Sequence, residues 1–192
     1  NGLAGANYPV ESLAVQSDGK ILIGGRFWTV NGVSCASLVR LNVDGSLDTS
    51  FTAGVDGSVS ALLCQSDGRI LVGGDFKSVN GSARANLARL NTNGTLDSSF
   101  LSGQVGPNRG VSSFAVEPHG RILIGGGFTM VNGVVRNYLA RLNADGTLDP
   151  TFVSSIEGVD LNPGALEAVA LHGSGKIVIG GSFTMVNQTP RS

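Results

Sequence analysis

The segment that begins at Val10, Val-Glu-Ser-Leu-Ala-Val-Gln-Ser-Asp-Gly-Lys-Ile-Leu-Ile-Gly-Gly-Arg-Phe, returns in altered form from Val59, Val111 and Leu166. Three copies run without internal gaps for 42 residues to a closing Phe, at Phe51, Phe100 and Phe152. Their starts lie 49, 52 and 55 residues apart, so the length variation is confined to connectors of 7, 10 and 13 residues. Fixed units on variable connectors are the pattern of a repeat architecture, in which each unit covers its apolar surface with its neighbours.

Turn chemistry sets the strands within a unit. A three-residue hairpin loop, a type I turn followed by a left-handed residue, places Gly last. Ser17-Asp18-Gly19 fits that rule, as do Ser66-Asp67-Gly68, Pro118-His119-Gly120 and Gly173-Ser174-Gly175. The register then sets Val15 against Ile21 and Leu13 against Ile23, with Ala14 facing Leu22 on the other side. Both faces are apolar, so both call for cover. A second hairpin turns at Val43-Asp44-Gly45, Thr92-Asn93-Gly94 and Ala144-Asp145-Gly146. It sets Arg40 against Asp48, Arg89 against Asp97 and Arg141 against Asp149. A slip of one residue would set Leu against Asp. Such cross-strand ion pairs contribute roughly 0.2–1 kcal/mol each and read as structural.

Between the hairpins stand double glycines, Gly24 and Gly25, Gly73 and Gly74, Gly125 and Gly126, Gly180 and Gly181, which mark a bulge or a close backbone approach. Phe27, Phe76, Phe128 and Phe183 follow at a fixed distance and are expected to wedge between units. Asn-Gly at 31/32, 80/81 and 132/133 supplies a turn into the third strand. Strands over 13–16, 20–24, 38–42 and 46–51 make four per unit. Four strands every ~40–55 residues predict an all-β fold, a β-propeller of four-stranded antiparallel blades. The blades span 10–51, 59–100 and 111–152, with a partial blade over 166–192.

Gln-Ser-Asp-Gly-Lys-Ile-Leu-Ile-Gly-Gly, Val-Asn-Gly and Arg-Leu-Asn-Val-Asp-Gly-Ser-Leu-Asp-Thr-Ser-Phe together resemble the delta-60 repeat, a family classed as a β-propeller domain of unknown function. The resemblance covers nearly the whole chain. It implies a large secreted or surface-attached bacterial protein with many blades in tandem, and it supplies no catalytic residue, ligand or cofactor. The Gly-Gly placement is also similar to that of kelch blades.

Composition narrows the function classes. Charged residues make up 14% of the chain and the net charge is −1, so no basic footprint for nucleic acid or acidic lipid is present. Apolar runs such as Ile21-Leu22-Ile23 are far too short for a membrane-spanning helix. The chain opens on Asn rather than Met, which points to processing or to an excerpt of something longer. The fourth copy reaches 27 residues of the 42-residue pattern, so further blades of the same protein or neighbouring identical chains are the expected partners.

Few residues suggest chemistry. Asn42-Val43-Asp44-Gly45-Ser46-Leu47-Asp48 and its copies have the look of a calcium loop, which makes Asp44, Asp48, Asp145 and Asp149 weak metal candidates. The closing bidentate Glu is missing, and the turn alone accounts for Asp/Asn-Gly. Cys64 stands where Val15 and Val116 stand in other copies, and Cys35 where Arg84 and Arg136 do; a disulfide between them is a minor alternative. His119 and His172 have no metal-ligand spacing to any Cys, Asp or Glu. Glu117 and Arg121 pair across their hairpin as Gln16 and Lys20 do. Asn80-Gly81-Ser82, Asn93-Gly94-Thr95 and Asn187-Gln188-Thr189 match a glycosylation acceptor by chance.

The expectation is therefore a non-enzymatic, extracellular or cell-surface structural or adhesive module without a cofactor, polymerising into a fibre of blades. The alternative is a propeller that binds a glycan, calcium or a protein through its central channel or its connector loops, with tips at 104–109 and 157–162.

Overall fold

A computed structural model describes residues 5–157 and 166–190. The chain divides into two compact units, Asn1–Asp97 and Ser98–Ser192.

The first unit holds β1 (Val10–Val15), β2 (Ile21–Gly25), β3 (Thr29–Val30), β4 (Val33–Ser34) and β5 (Leu38–Leu41). The same series repeats as β6 (Ser58–Cys64), β7 (Ile70–Asp75), β8 (Ser78–Val79), β9 (Ser82–Ala83) and β10 (Leu87–Leu90). Each series makes one antiparallel three-stranded sheet, β1-β2-β5 and β6-β7-β10, plus a two-residue hairpin, β3-β4 and β8-β9. Gly19 has φ +81°, the left-handed geometry that the loop requires. The Gln16 amide donates to the Lys20 carbonyl at 2.9 Å, and Val15 pairs with Ile21 and Leu13 with Ile23.

The two sheets share a core of Leu22, Leu38, Val59, Ile70, Val72 and Phe76 with their neighbours. The double glycines make the close approach possible. A Cβ on Gly24 would lie 2.5 Å from Val59 Cγ1. On Gly25 it would fall onto the Pro9 carbonyl, and on Gly74 onto the Ser58 carbonyl. Beside each of these glycines a bulge offsets the register, between Val10 and Ser12 and between Val59 and Ala61. Phe76 lies in the shared core, whereas Phe27 packs with Val30, Val39, Ala6 and Ile23.

The second unit repeats the plan with β11 (Val111–Val116), β12 (Ile122–Gly126), β13 (Met130–Val131), β14 (Val134–Val135) and β15 (Leu139–Leu142). It continues with β16 (Ile156–Glu157), β17 (Ala168–Leu171), β18 (Ile177–Gly180), β19 (Met185–Val186) and β20 (Thr189–Pro190). Its sheets are β11-β12-β15, β17-β18, β13-β14 and β16-β19-β20. Ala115, Leu123, Leu139, Ile156, Leu166 and Val169 form the core. Gly125 and Gly126 repeat the close approach, the first against the Leu166 side chain and the second against the Gly110 carbonyl.

Three expectations change. The strand expected over 46–51 shrinks to one bridge, Leu41↔Leu47, with counterparts Leu90↔Leu96 and Leu142↔Leu148. Asp48 ends it: its Oδ1 accepts from the Ser50 amide at 3.0 Å and the Ser50 hydroxyl at 2.6 Å, which curls the chain out of the sheet. Gly180 is not a close approach, since a Cβ there would meet only Ala168 Cβ, at 3.8 Å. Gly24 and Gly125 are approached by Val59 and Leu166, from the start of the repeat that follows each, and no described residue of a following repeat stands against Gly180. The apolar faces are also not all covered. Leu13 and Val15 on β1 are 63% and 67% exposed, and Val178 on β18 is 55% exposed.

Candidate functional site

The recurring charges are the first place to look for chemistry, and they are consumed locally. Asp48 Oδ2 lies 2.8 Å from both Arg40 Nε and Lys20 Nζ, and the Arg40–Asp48 pair is buried. Lys20 and the Ser50 hydroxyl, ahead of Arg40, hold the Asp48 carboxyl well below the usual carboxylate range. Arg89 meets Asp97 and Arg141 meets Asp149 at the same 2.8 Å. The Thr151 hydroxyl and amide, with Arg141, lower Asp149 to about 2. Glu117 takes Arg121 at 3.0 Å. The Arg40 and Arg141 guanidiniums lie over the Phe51 and Phe152 rings, at 4.7 and 4.8 Å.

Of the calcium candidates, Asp48 and Asp149 are taken by these cations, whereas Asp44 and Asp145 have neutral hydrogen-bond donors. Asp44 Oδ1 accepts from the Ser46 hydroxyl and amide, which lower its pKa, and Asp145 Oδ1 accepts from the Thr147 amide and hydroxyl. Among the described residues no three His, Cys, Asp or Glu side chains come together as metal ligands. His119 sits in its turn at φ +68°, and His172 Nδ1 lies 2.9 Å from the Ser174 hydroxyl. Cys35 and Cys64 are free thiols, both pushed up by burial.

The outer turn that resembles a calcium loop has a different use, which the sequence does not announce. In the first unit the Thr92 carbonyl accepts from Arg40 Nη1, the Asn93 carbonyl from the Thr52 amide at 3.1 Å, and the Gly94 carbonyl from Asn80 Nδ2 at 2.9 Å. The Phe51 ring packs so closely that a Cβ on Gly94 would come within 3.1 Å of it. In the second unit the Leu101 amide donates to the Asp145 carbonyl at 2.9 Å, and Phe100 lies under Gly146. Each turn is thus a latch that receives the end of the preceding repeat.

The connectors are held by a second recurring frame. Asn7 Oδ1 accepts from the Trp28 and Thr29 amides, both at 3.0 Å. Asp56 Oδ1 does so with Lys77 and Ser78, both at 2.8 Å, and Asn108 Oδ1 with Thr129 and Met130, at 2.9 and 3.0 Å. The Ser78 and Lys77 amides hold the Asp56 carboxyl low. From the other side, Asn31 Oδ1 accepts from the Gly5 amide, Asn80 Oδ1 from Gly54, Asn132 Oδ1 from Gly106 and Asn187 Oδ1 from Ser155. Asn of the Asn-Gly turn is therefore a staple as well as a left-handed residue. The 104–109 tip lies beside this frame; the 157–162 tip lies outside the described residues apart from the backbone of Glu157.

Among the described residues the sheet of the fourth repeat holds two strands where the others hold three. In the other three sheets the strand Leu-x-Arg-Leu pairs with the middle strand, as Ile21↔Leu41, Ile70↔Leu90 and Ile122↔Leu142. β18, the equivalent middle strand, pairs with β17 alone. Beside it lies a cleft of about 630 Å³, whose lining includes Leu139, Phe152, Ile177, Ile179, Gly181 and Phe183.

The family model described as "Domain of unknown function (DUF5122) beta-propeller" matches residues 16–51, 65–100, 117–152 and 172–192. The chain belongs to this family. The first three family segments end on the closing Phe, at Phe51, Phe100 and Phe152, and the fold is an all-β propeller. Three solved structures are similar to it in fold. The WD40 β-propeller domain of Doa1 aligns over 92% of the chain at 15% identity, with a TM-score of 0.57. An extracellular domain from B. thetaiotaomicron aligns over 96% at 17% identity (TM-score 0.52). PorZ, a surface component of the type-IX secretion system of Porphyromonas gingivalis, aligns over 96% at 14% identity (TM-score 0.55). The chain spans 49% of the Doa1 chain, 22% of the B. thetaiotaomicron chain and 26% of the PorZ chain. No curated protein matches the sequence. Among the described residues no helix is long and apolar enough to cross a membrane.

Proposed function

We propose that this DUF5122 chain is a non-enzymatic structural or adhesive module of the bacterial cell exterior, in which delta-60-type blades with kelch-like glycine pairs are joined in series into a fibre. The observation that carries this reading is the latch at the outer turn, in which the Asn93 and Asp145 carbonyls accept from the Thr52 and Leu101 amides at the end of the preceding repeat. A joint made of main-chain atoms can recur from blade to blade, so a further blade of the same protein or a neighbouring identical chain can be added by the same contacts, with neither cofactor nor metal. The recurring charges support a structural role, since the Arg–Asp pairs and the outer turns are committed to holding repeats together. Two of the similar structures are described as an extracellular domain and a surface component, in keeping with the proposed location.

Light scattering and negative-stain microscopy over a concentration series test this reading. Assembly is expected to grow with concentration and to be insensitive to a chelator of divalent cations. A discrete monomer at every concentration would refute the serial joint.

A further inference from the structure

The connector frame is constant while the side chains it displays are not. Asn7, Asp56 and Asn108 each hold two amides of the following hairpin. The residue after the frame and the first residue it holds are Tyr8 and Trp28 in the first repeat, Gly57 and Lys77 in the second, Arg109 and Thr129 in the third. The turn therefore forms without either ring, and Tyr8 and Trp28 are not demanded by the fold. Constant backbone carrying variable, exposed side chains is the arrangement in which loops take on binding roles.

Tyr8 and Trp28 are 52% and 55% exposed, whereas the described Phe residues and Tyr138 are buried or half-buried. The rings are stacked, with centroids 4.2 Å apart and planes tilted by 34°. Stacking this close leaves no gap between them for a sandwiched cation, so an ammonium cage is excluded. Fully exposed aromatic side chains offer about 150–250 Å² each, so this half-exposed pair offers roughly 200 Å². A stable protein interface takes about 800 Å² from each partner, far more than the platform supplies. A stacked nucleobase would bring phosphates, yet the chain carries a net charge of −1 and the neighbouring Arg26 is held by Glu11 at 2.6 Å.

A small neutral ligand with a flat apolar face and a polar rim suits these limits. One face of a pyranose ring presents C–H groups to the negative face of an aromatic ring, and its hydroxyls meet polar groups at the edge. Asn7, which precedes Tyr8, is exposed and accepts from the Trp28 and Thr29 amides through Oδ1, so its amide nitrogen is the group of that side chain that can donate to a hydroxyl. We propose that Tyr8 and Trp28 form a stacking platform for a neutral saccharide. This site is separate from the outer-turn latches and does not depend on assembly.

Trp28 is the single tryptophan of the 192-residue chain, so its emission reports the platform directly. The probes are the hexasaccharides of β-1,4-glucose, α-1,4-glucose, β-1,4-xylose and β-1,4-N-acetylglucosamine, titrated into the intact chain. At least one is expected to give a saturable emission change that is insensitive to salt. Tyr8→Ala by fluorescence and Trp28→Ala by calorimetry are expected to weaken binding roughly five- to hundredfold, the range found for stacked rings. Trp28→Phe is expected to restore part of the affinity, which separates ring loss from misfolding. The proposal is overturned by the absence of saturable binding with all four sugars in both assays. Undiminished binding in Trp28→Ala, or binding that falls steeply with salt, would overturn it equally. So would a change in self-association in Tyr8→Ala with no sugar bound, since the rings would then be a protein contact.

Discussion

Replacing Asp48 by Ala leaves Arg40 buried without its carboxylate. The lost anion served Arg40 Nε and Lys20 Nζ, both at 2.8 Å, and the Ser50 amide and hydroxyl at 3.0 and 2.6 Å. Arg40 keeps the Thr92 carbonyl, the Gln16 amide oxygen at 3.3 Å and the Phe51 ring. Breaking a buried pair from one side costs about 3–5 kcal/mol. The surviving partners of Arg40 place the expected cost at the low end, about 3 kcal/mol. For a chain of this size each kcal/mol moves the midpoint by about 2–4 °C, so Tm should fall by about 6–12 °C. The double variant Arg40→Met, Asp48→Leu removes both charges and should lose only about 1 kcal/mol, chiefly the contact to the Thr92 carbonyl. Urea unfolding followed by Trp28 emission reads the first unit specifically. If Asp48→Ala costs less than about 1 kcal/mol, or the double variant falls as far as the single, the burial argument is wrong.

Acid should destabilise the fold over a definite window. Asp149, at about 2, and Asp44, Asp48 and Asp56, all lowered, bind protons less readily when folded than the unfolded chain does. Their contribution is whole above the unfolded carboxylate value of about 4 and is lost as pH falls toward about 2. Urea midpoints should therefore decline over that interval, and Asp149→Asn should flatten part of the decline; midpoints unchanged down to about pH 3 would contradict this. Gly25→Ala should cost about 1–3 kcal/mol, because its Cβ meets the Pro9 carbonyl and the Val10 Cα, neither of which can move aside alone. Gly54→Ala, whose Cβ finds nothing nearer than 3.9 Å, should be neutral or slightly stabilising in the same denaturation assay.

Much of the fold is legible in short-range chemistry. Ser17-Asp18-Gly19 sets the Val15↔Ile21 register because a left-handed glycine closes one loop length and not another. The pairing of Arg40 with Asp48 follows from the next such turn. Contacts across connectors are harder to read. Asn31 and Asn80 each reach an amide 26 residues earlier in the chain, in connectors whose sequences have little in common. The glycine pairs show the same limit: Gly24 and Gly180 look equivalent in the sequence, and only the neighbouring strand separates a glycine pressed against Val59 from one whose Cβ would meet only Ala168 at 3.8 Å. The outer turn reads as a calcium loop because side-chain oxygens are visible in a sequence and carbonyl directions are not. The shortened fourth strand has the same cause: Asp48 looks like a strand residue until its second oxygen is found on Ser50. The Asx frame did carry a signal, an Asn or Asp three residues before each of the first three repeats, at Asn7, Asp56 and Asn108.

The latch at the outer turn bears on how such a chain can change over generations. It grips the preceding repeat through the backbone carbonyls of Asn93 and Asp145, while the side chains alongside are Thr92 in one case and Ala144 in the other. A joint written in main-chain atoms asks only for a glycine in the turn and an aromatic ring before the connector. Repeats can then be duplicated, deleted or exchanged by recombination without two surfaces having to be matched afresh. The side chains displayed by the connectors are left to diversify independently of the joints that hold the repeats together.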